Sequence, residues 1–162
     1  MDHLMNNVRR TIVSMPTLAL GAFIAGVPRW VAAQSSAPSV ELWKSPTCGC
    51  CKDWVKHMED NGFRVTVHDS GNTDARARVG IPQRLGSCHT AVVAGYAIEG
   101  HVPADDIRRL LREKPKALGL AVPGMPIGAP GMDGPEYRGR KDAYDVLLVE
   151  RNGMTSVYRS HS

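Results

Sequence analysis

The chain has 162 residues and carries 20 basic against 16 acidic residues, for a formal net charge of +4. Residues 1–33 hold three of the basic residues and one acidic residue, so the remaining 129 residues have a net charge of only +2. That small excess and the absence of a long basic run argue against nucleic-acid binding, since the short cluster at residues 138–141 is typical of a solvated loop. A chain of this length is sufficient for one compact domain.

The N-terminal segment has the anatomy of a secretory signal. Arg9 and Arg10 precede an apolar stretch at residues 11–27, and the small residues Ala32 and Ala33 suit cleavage before Gln34. The apolar stretch is short and interrupted, which disfavours an uncleaved membrane anchor. The paired arginines also resemble a twin-arginine export signal, with general export as the alternative. We therefore predict a signal peptide at residues 1–33 and a single domain at 34–162 that meets the membrane only during export.

The mature chain predicts a mixed α/β domain. In chain order we predict a strand at 40–44, a helix from Cys51 to a cap at Gly62, a strand at 65–68, a short helix at 73–79, strands at 90–93 and 96–99, and a helix at 103–114. Residues 119–134 are rich in glycine and proline and hold two methionines, which predicts a long ordered loop without helix or strand. Alternating residues around Asn152-Gly153 predict a β-hairpin formed by 144–150 and 154–158.

The cysteines are the most informative residues of the chain. Cys48, Cys50 and Cys51 follow the first strand at the expected start of a helix, and Cys88 lies before the third strand. A helix N-terminus stabilises thiolates, which makes them better nucleophiles and better ligands for soft metals. Lys44 and Lys52 are near enough in sequence to add positive potential.

Four interpretations of these cysteines stay open on spacing alone. An exported protein could hold two disulfides, Cys48–Cys51 and Cys50–Cys88. The C-x-x-C pair Cys48/Cys51 is also typical of a thiol–disulfide oxidoreductase, with Cys50 or Cys88 as the resolving thiol. One tetrahedral zinc on all four thiolates is a third interpretation. Side chains of adjacent cysteines diverge, however, which favours thiolates bridging several Cu(I) ions.

Several neighbouring residues are secondary candidates for the metal. Met125 and Met132 lie in a loop too rich in glycine and proline to use them as ordinary core packing, and His89 directly follows Cys88. His89 is equally well interpreted as a bystander, because neighbouring side chains on a strand point to opposite faces. For His57 and His68 we expect surface or packing roles. For Trp43 and Trp54 we expect core packing first and shielding of the metal second.

Four motifs together resemble a known family, the small exported copper-associated proteins called CopG-type. The motifs are KSPTCGCCKDW at 44–54, GSCHTA at 86–91, GHVPADDI at 100–107 and GLAVPGMP at 119–126. The likeness spans roughly residues 40–158, and such a set is far more specific than a lone C-x-x-C.

The resemblance implies a thioredoxin-like fold, here with the Gly/Pro/Met-rich loop and a C-terminal hairpin. It implies that Cys48, Cys50, Cys51 and Cys88 hold a multinuclear Cu(I)/Cu(II) cluster in the bacterial periplasm, in the service of copper resistance. Copper ions, and other periplasmic copper-handling proteins, are then the expected partners. A copper oxidoreductase activity is left open, because the sequence shows no electron partner.

Overall fold

The structure is a computed structural model, and it describes residues 37–162 of the chain. The predicted signal peptide, and the predicted domain start at residue 34, lie outside the described residues. None of the helices in the described part is long and apolar enough to cross a membrane.

Seven strands form one mixed sheet, in the spatial order β2-β1-β3-β4-β5-β6-β7. The strands are β1 Ser39–Lys44, β2 Arg64–His68, β3 His89–Val93, β4 Tyr96–Glu99, β5 Gly119–Ala121, β6 Tyr144–Val149 and β7 Thr155–His161. The helices are α1 Gly49–Asp60, α2 Thr73–Val79 and α3 Ala104–Glu113, with short 3-10 turns at Gln83–Leu85 and Pro135–Tyr137.

The connections follow from the local sequence. β1 runs parallel to β2 through the crossover helix α1, and β4 runs parallel to β5 through α3. β3 and β4 form a tight antiparallel hairpin whose turn, Ala94-Gly95, has two residues at positive φ. β1 and β3 are antiparallel neighbours, so the end of β1 lies beside the start of β3. This pairing brings the first cysteine segment and Cys88 to the same edge of the sheet.

Both faces of the sheet are covered by apolar residues. Trp54 and Met58 of α1 and Ile107 and Leu110 of α3 share one core cluster with alternate residues of the strands. The second cluster joins the opposite strand faces to the segment that follows α2, and includes Ile81, Leu85, Ala97, Ala121 and Val149. Ala97 and Ile98 belong to different clusters, as the two-residue period of a strand requires.

The predicted α/β class, the order of the helices and strands that were predicted, and the C-terminal hairpin are confirmed. The narrower thioredoxin-like assignment remains what the resemblance implies. One prediction is wrong: the segment 119–134 is not loop throughout, because it opens with strand β5. A Cβ on Gly119 would lie 1.7 Å from the Ala97 carbonyl oxygen, so glycine permits the close approach of β5 to β4. Glycine in sequence usually indicates a loop, but at Gly119 it is required because strand β5 pairs closely with β4.

Candidate metal centre

The first three cysteines sit at the N-terminus of α1. The chain turns after β1, where the Cys48 N–H donates to the Ser45 carbonyl at 3.1 Å, and the helix begins at Gly49. The helix therefore starts two residues before the predicted start, with Cys48 as N-cap and Cys50 and Cys51 in the first turn. This turn has no acidic residue and no side-chain cap. Its free amides and the helix dipole favour negative charge on the sulfurs.

Cys88 approaches these sulfurs from the segment between the Gln83–Leu85 turn and β3. Its Sγ lies 3.4 Å from Cys51 Sγ and 3.8 Å from Cys50 Sγ, and Cys50 Sγ lies 3.5 Å from Cys48 Sγ. All four sulfurs are within 4.8 Å of one another. The structure thus brings together the four cysteines that the sequence analysis selected.

The structure shows one of the two disulfides considered from the sequence. Cys48 and Cys51 are bonded, whereas Cys50 and Cys88 are free thiols. Four thiolates become available to a metal only when this disulfide is reduced, because the thiolate is the ligand.

A second group of donors shares Cys88. It consists of Cys88, His89 and His101, whose ligand atoms also lie within 4.8 Å of one another. His101 was not among the predicted residues. Its Nε2 lies 3.0 Å from Cys88 Sγ, and its Nδ1 lies 2.8 Å from the Pro130 carbonyl oxygen. Because that carbonyl can only accept, Nδ1 carries the proton and the lone pair of Nε2 faces the sulfur.

His89 has a buried nitrogen that nothing in the described part of the chain satisfies. Its Nδ1 lies 3.5 Å from Cys88 Sγ, while Nε2 is buried without a hydrogen-bond partner among residues 37–162. The ring is packed between Trp54 and His101, with centroid distances of 4.6 and 4.9 Å. An unsatisfied buried polar atom is costly, so a ligand or an ordered water that bonded to this nitrogen would stabilise the protein.

Burial sets the protonation of these groups. It lowers the pKa of His101 and lowers that of His89 well below the usual histidine range. Both rings are therefore neutral at neutral pH, which is the form that binds metals. Burial, reinforced by the neighbouring Cys50, raises the pKa of the Cys88 thiol to about 12. The thiol accordingly keeps its proton, facing His101, until a metal displaces it.

The two candidate methionines lie in different surroundings. Met132 is buried and its sulfur accepts a hydrogen bond from the Tyr137 hydroxyl at 3.5 Å. Met125 is 53% exposed and lies on the rim of a cavity of about 370 Å³ that Cys88 also lines. The structure therefore places Met125 beside an approach to Cys88, and Met132 in the packed part of the loop.

The remaining predicted residues have other partners. The His57 ring accepts the Ala104 N–H at 3.1 Å, and His68 pairs with Glu41 at 2.7 Å. Lys44, expected to add positive potential, is buried and pairs with Asp69 at 2.5 Å. The Asp69 carboxylate therefore offsets most of the positive potential that the Lys44 ammonium would otherwise exert on the cysteine sulfurs.

Only one of the two tryptophans, Trp54, contacts a residue of the donor set. Trp54 is a core residue whose indole donates to the Val102 carbonyl and whose ring lies against His89. Trp43 stacks on His68 instead. Trp54 thus combines core packing with contact to the donor set.

Known proteins resemble this chain in both sequence and structure. A family model described as a protein of unknown function, DUF411, matches residues 85–132. A solved structure titled copper resistance protein CopG, form 2, is 46% identical with a TM-score of 0.71, covering 78% of this chain and 99% of that one. Form 1 is 47% identical with a TM-score of 0.69, covering 76% and 96%. A search of the curated proteins returns no match. At this identity and coverage, the chain belongs to the family of the copper resistance protein CopG.

Proposed function

We propose that this chain is a periplasmic copper-binding protein that holds Cu(I) in a multinuclear thiolate cluster on Cys48, Cys50, Cys51 and Cys88, in the service of copper resistance. His101 and His89 complete the donor set. The proposal takes the copper role from the titles of the two CopG structures and the ligands from the geometry of this chain.

The observation that carries the proposal is the convergence of six donors on one edge of the sheet. Four sulfurs form one group and Cys88, His89 and His101 form another, with Cys88 common to both. A single tetrahedral ion uses four donors, so six donors that share one cysteine favour several ions bridged by sulfur.

The chemistry of the donors favours copper. Thiolate is the preferred ligand of Cu(I), and imidazole is suited to both copper oxidation states. Copper bound here would supply one-electron redox chemistry. The protein's own residues bind the ion, orient the imidazole of His101 through Pro130, and exclude water with the buried ring of Trp54.

Export to the periplasm is part of the same proposal. It is supported by the basic and apolar N-terminal segment and by the Cys48–Cys51 disulfide, since disulfides persist in oxidising compartments such as the periplasm. Fractionation of cells that express the full chain tests it: we expect the processed protein in the periplasmic fraction, and retention in the cytoplasm would contradict it.

Elemental analysis of the purified protein tests the cluster. The full chain, expressed with added copper and purified without chelator, is expected to retain more than one copper per polypeptide. Cys50→Ser removes a sulfur that the C-x-x-C pair does not need, and is expected to lose copper from the whole cluster. A matched control is Ser45→Ala, which removes an exposed hydroxyl whose one hydrogen bond within residues 37–162 is to Thr47.

One zinc per chain would contradict the copper proposal, as would copper content unaffected by Cys50→Ser.

A thiol–disulfide oxidoreductase is the second candidate, and the Cys48–Cys51 disulfide favours it. Cys88 Sγ lies 3.4 Å from Cys51 Sγ. Attack requires the Cys88 thiol to pass its proton to a base, and His101 Nε2 lies 3.0 Å from Cys88 Sγ. The thiolate would then form Cys51–Cys88, break Cys48–Cys51 and release Cys48 as a thiolate, which takes up that proton. Disulfide reductase activity that survives Cys50→Ser in metal-free protein would support this candidate over the cluster.

A further inference from the structure

A buried ion pair outside the donor set bonds to Ser87, the residue that precedes Cys88. Arg76 of α2 and Glu99 at the end of β4 pair through Nε and Oε1 at 2.8 Å, with side chains 8% and 0% exposed. Buried ion pairs are expensive to desolvate and are a weak source of stability, so their retention points to a requirement for local geometry.

The pair binds both sides of one residue, Ser87, which precedes Cys88. Glu99 Oε1 accepts the Ser87 N–H at 2.7 Å, and Arg76 Nη2 donates to the Ser87 carbonyl oxygen at 2.5 Å. Asn72 donates to the same carbonyl at 3.1 Å. On the other side of Cys88, the Thr90 hydroxyl donates to Glu99 Oε2 at 2.6 Å. One carboxylate thus binds the Ser87 backbone before Cys88 and the Thr90 side chain after it.

This attachment matters because the segment that carries Cys88 has no helix or strand of its own. Gly86 to Cys88 link the Gln83–Leu85 turn to β3. A Cβ on Gly86 would lie 2.9 Å from Arg76 Nη1, so the guanidinium packs directly on this backbone. The backbone bond from the Gly124 N–H to the Gly86 carbonyl and the side chains of Arg76 and Glu99 together hold this segment in place.

We propose that the buried Arg76–Glu99 pair is a positioning device that fixes the backbone around Cys88, so that its sulfur is preorganised to bridge the thiolate and the histidine donors. The inference rests on the proposed copper function. Partners behind a metal ligand alter metal affinity by about 10–100-fold when mutated. We expect Glu99→Gln to weaken copper binding by an amount in that range. The glutamine amide has one acceptor oxygen, which cannot accept from Arg76, Ser87 and Thr90 together.

The test compares Glu99→Gln with Asp106→Asn in the full chain. Asp106 is the matched control: it is also a fully buried carboxylate paired with an arginine, but it binds Arg159 and His161 of β7, away from Cys88. Competition with a Cu(I) chelator is expected to show about 10–100-fold weaker copper binding for Glu99→Gln and unchanged binding for Asp106→Asn. The sulfur-to-copper absorption bands are expected to shift only in Glu99→Gln.

A second readout needs no copper. In reduced, metal-free protein, iodoacetamide alkylation is followed by peptide mass spectrometry, with Cys50 as the internal reference. We expect Cys88 to react severalfold faster, relative to Cys50, in Glu99→Gln than in the wild type or Asp106→Asn. If the wild type binds no copper, the proposed function fails while this readout still decides the positioning role.

Equal copper affinity and equal Cys88 reactivity in Glu99→Gln and the wild type would overturn the inference. So would equal losses in Glu99→Gln and Asp106→Asn, which would indicate a general effect on the fold. Should Glu99→Gln fail to fold, Asn72→Ala removes a bond to the same Ser87 carbonyl without stranding a charge. A smaller shift in both readouts for Asn72→Ala would support the inference, and none would overturn it.

Discussion

Cys88 connects the two donor groups of the proposed centre. It contacts sulfurs from the start of α1 on one side and the imidazole of His101 on the other. A residue in this position can bridge ions, whereas the cysteines of α1 alone would form a simpler redox or metal motif. The character of the site therefore depends on the chain around Cys88 as much as on the C-x-C-C motif.

The first prediction concerns His101. His101→Gln keeps a polar side chain but removes the imidazole nitrogen that faces Cys88 at 3.0 Å. We expect fewer copper ions per chain, or Cu(I) affinity weaker by about tenfold or more, as metal ligands and their supporting groups generally show. Elemental analysis and chelator competition measure both.

His57→Gln is the control, since His57 is a half-buried histidine that also bonds to the backbone, through the Ala104 N–H, but lies outside the donor set. Equal copper binding by His101→Gln and His57→Gln would exclude His101 as a ligand.

At the scale of elements, the Gly/Pro/Met-rich loop is packed onto the helix that carries the cysteines. Gly131 has φ of 82°, and a Cβ there would lie 2.6 Å from the Cys50 carbonyl oxygen and 2.7 Å from the Trp54 nitrogen. The His101 ring is held by Pro130 of the same loop. The loop thus supports both donor groups at once.

The second prediction uses two glycines of this loop. Gly124 has φ of 70° but nothing within 4 Å of its Cβ position, so Gly124→Ala bears the cost of left-handed backbone alone, about 1 kcal/mol. Gly131→Ala adds a backbone collision and is expected to cost about 2–4 kcal/mol. Urea unfolding of the two metal-free variants measures the difference. Equal decreases in the free energy of unfolding for the two variants would show that the loop does not pack against α1 at Gly131.

The third prediction concerns the contact between α1 and α3. The neutral His57 ring accepts the Ala104 N–H at the start of α3, and burial lowers the pKa of His57. In the unfolded chain His57 titrates near its ordinary value of about 6.5. Below that pH the unfolded state binds the extra proton, so this contribution to stability is complete above about pH 6.5 and is lost as the pH falls.

We therefore expect the free energy of unfolding to fall between pH 7 and pH 5 less steeply in His57→Gln than in the wild type. One such group contributes at most about 1.4 kcal/mol per pH unit. Identical slopes for the two proteins would contradict the assignment.

At the scale of the whole molecule, ion pairs connect the last strand, β7, to helix α3. Asp106 of α3 is fully buried and its carboxylate is paired with Arg159 and His161 of β7. The His161 ring also stacks on Tyr144 of β6. These contacts join the far edge of the sheet to the N-terminal turn of α3.

The fourth prediction follows from that attachment. Removing residues 159–162 leaves Asp106 buried without its partners, which is expected to cost about 3–5 kcal/mol. Adding Asp106→Asn to the truncated chain should restore part of the loss, because it removes the stranded charge. Denaturant unfolding measures both proteins, and a further loss on adding Asp106→Asn would refute this account of β7.

Features with local signals were predictable from the sequence, and features created by pairing were not. Asn152-Gly153 identifies the hairpin, and Pro115 marks the end of the third helix, because turn and cap residues act on their neighbours. Strand β5 was missed since Gly119 is explained only by the carbonyl of Ala97 across the sheet. The Arg76–Glu99 pair was missed for the same reason, since nothing near it in sequence shows that it meets around Cys88. His101 stands in the motif GHVPADDI, but the motif does not show that the ring contacts Cys88.

The central claim is that copper is bridged by sulfur around Cys88, with nitrogen from the neighbouring histidines. X-ray absorption spectroscopy of the copper-loaded full chain tests it most directly, because it reports the atoms around copper and the presence of nearby copper ions. We expect a first shell dominated by sulfur, a smaller nitrogen contribution that is reduced in His101→Gln, and copper–copper scattering. A shell of nitrogen and oxygen alone, or copper ions without copper neighbours, would contradict the account.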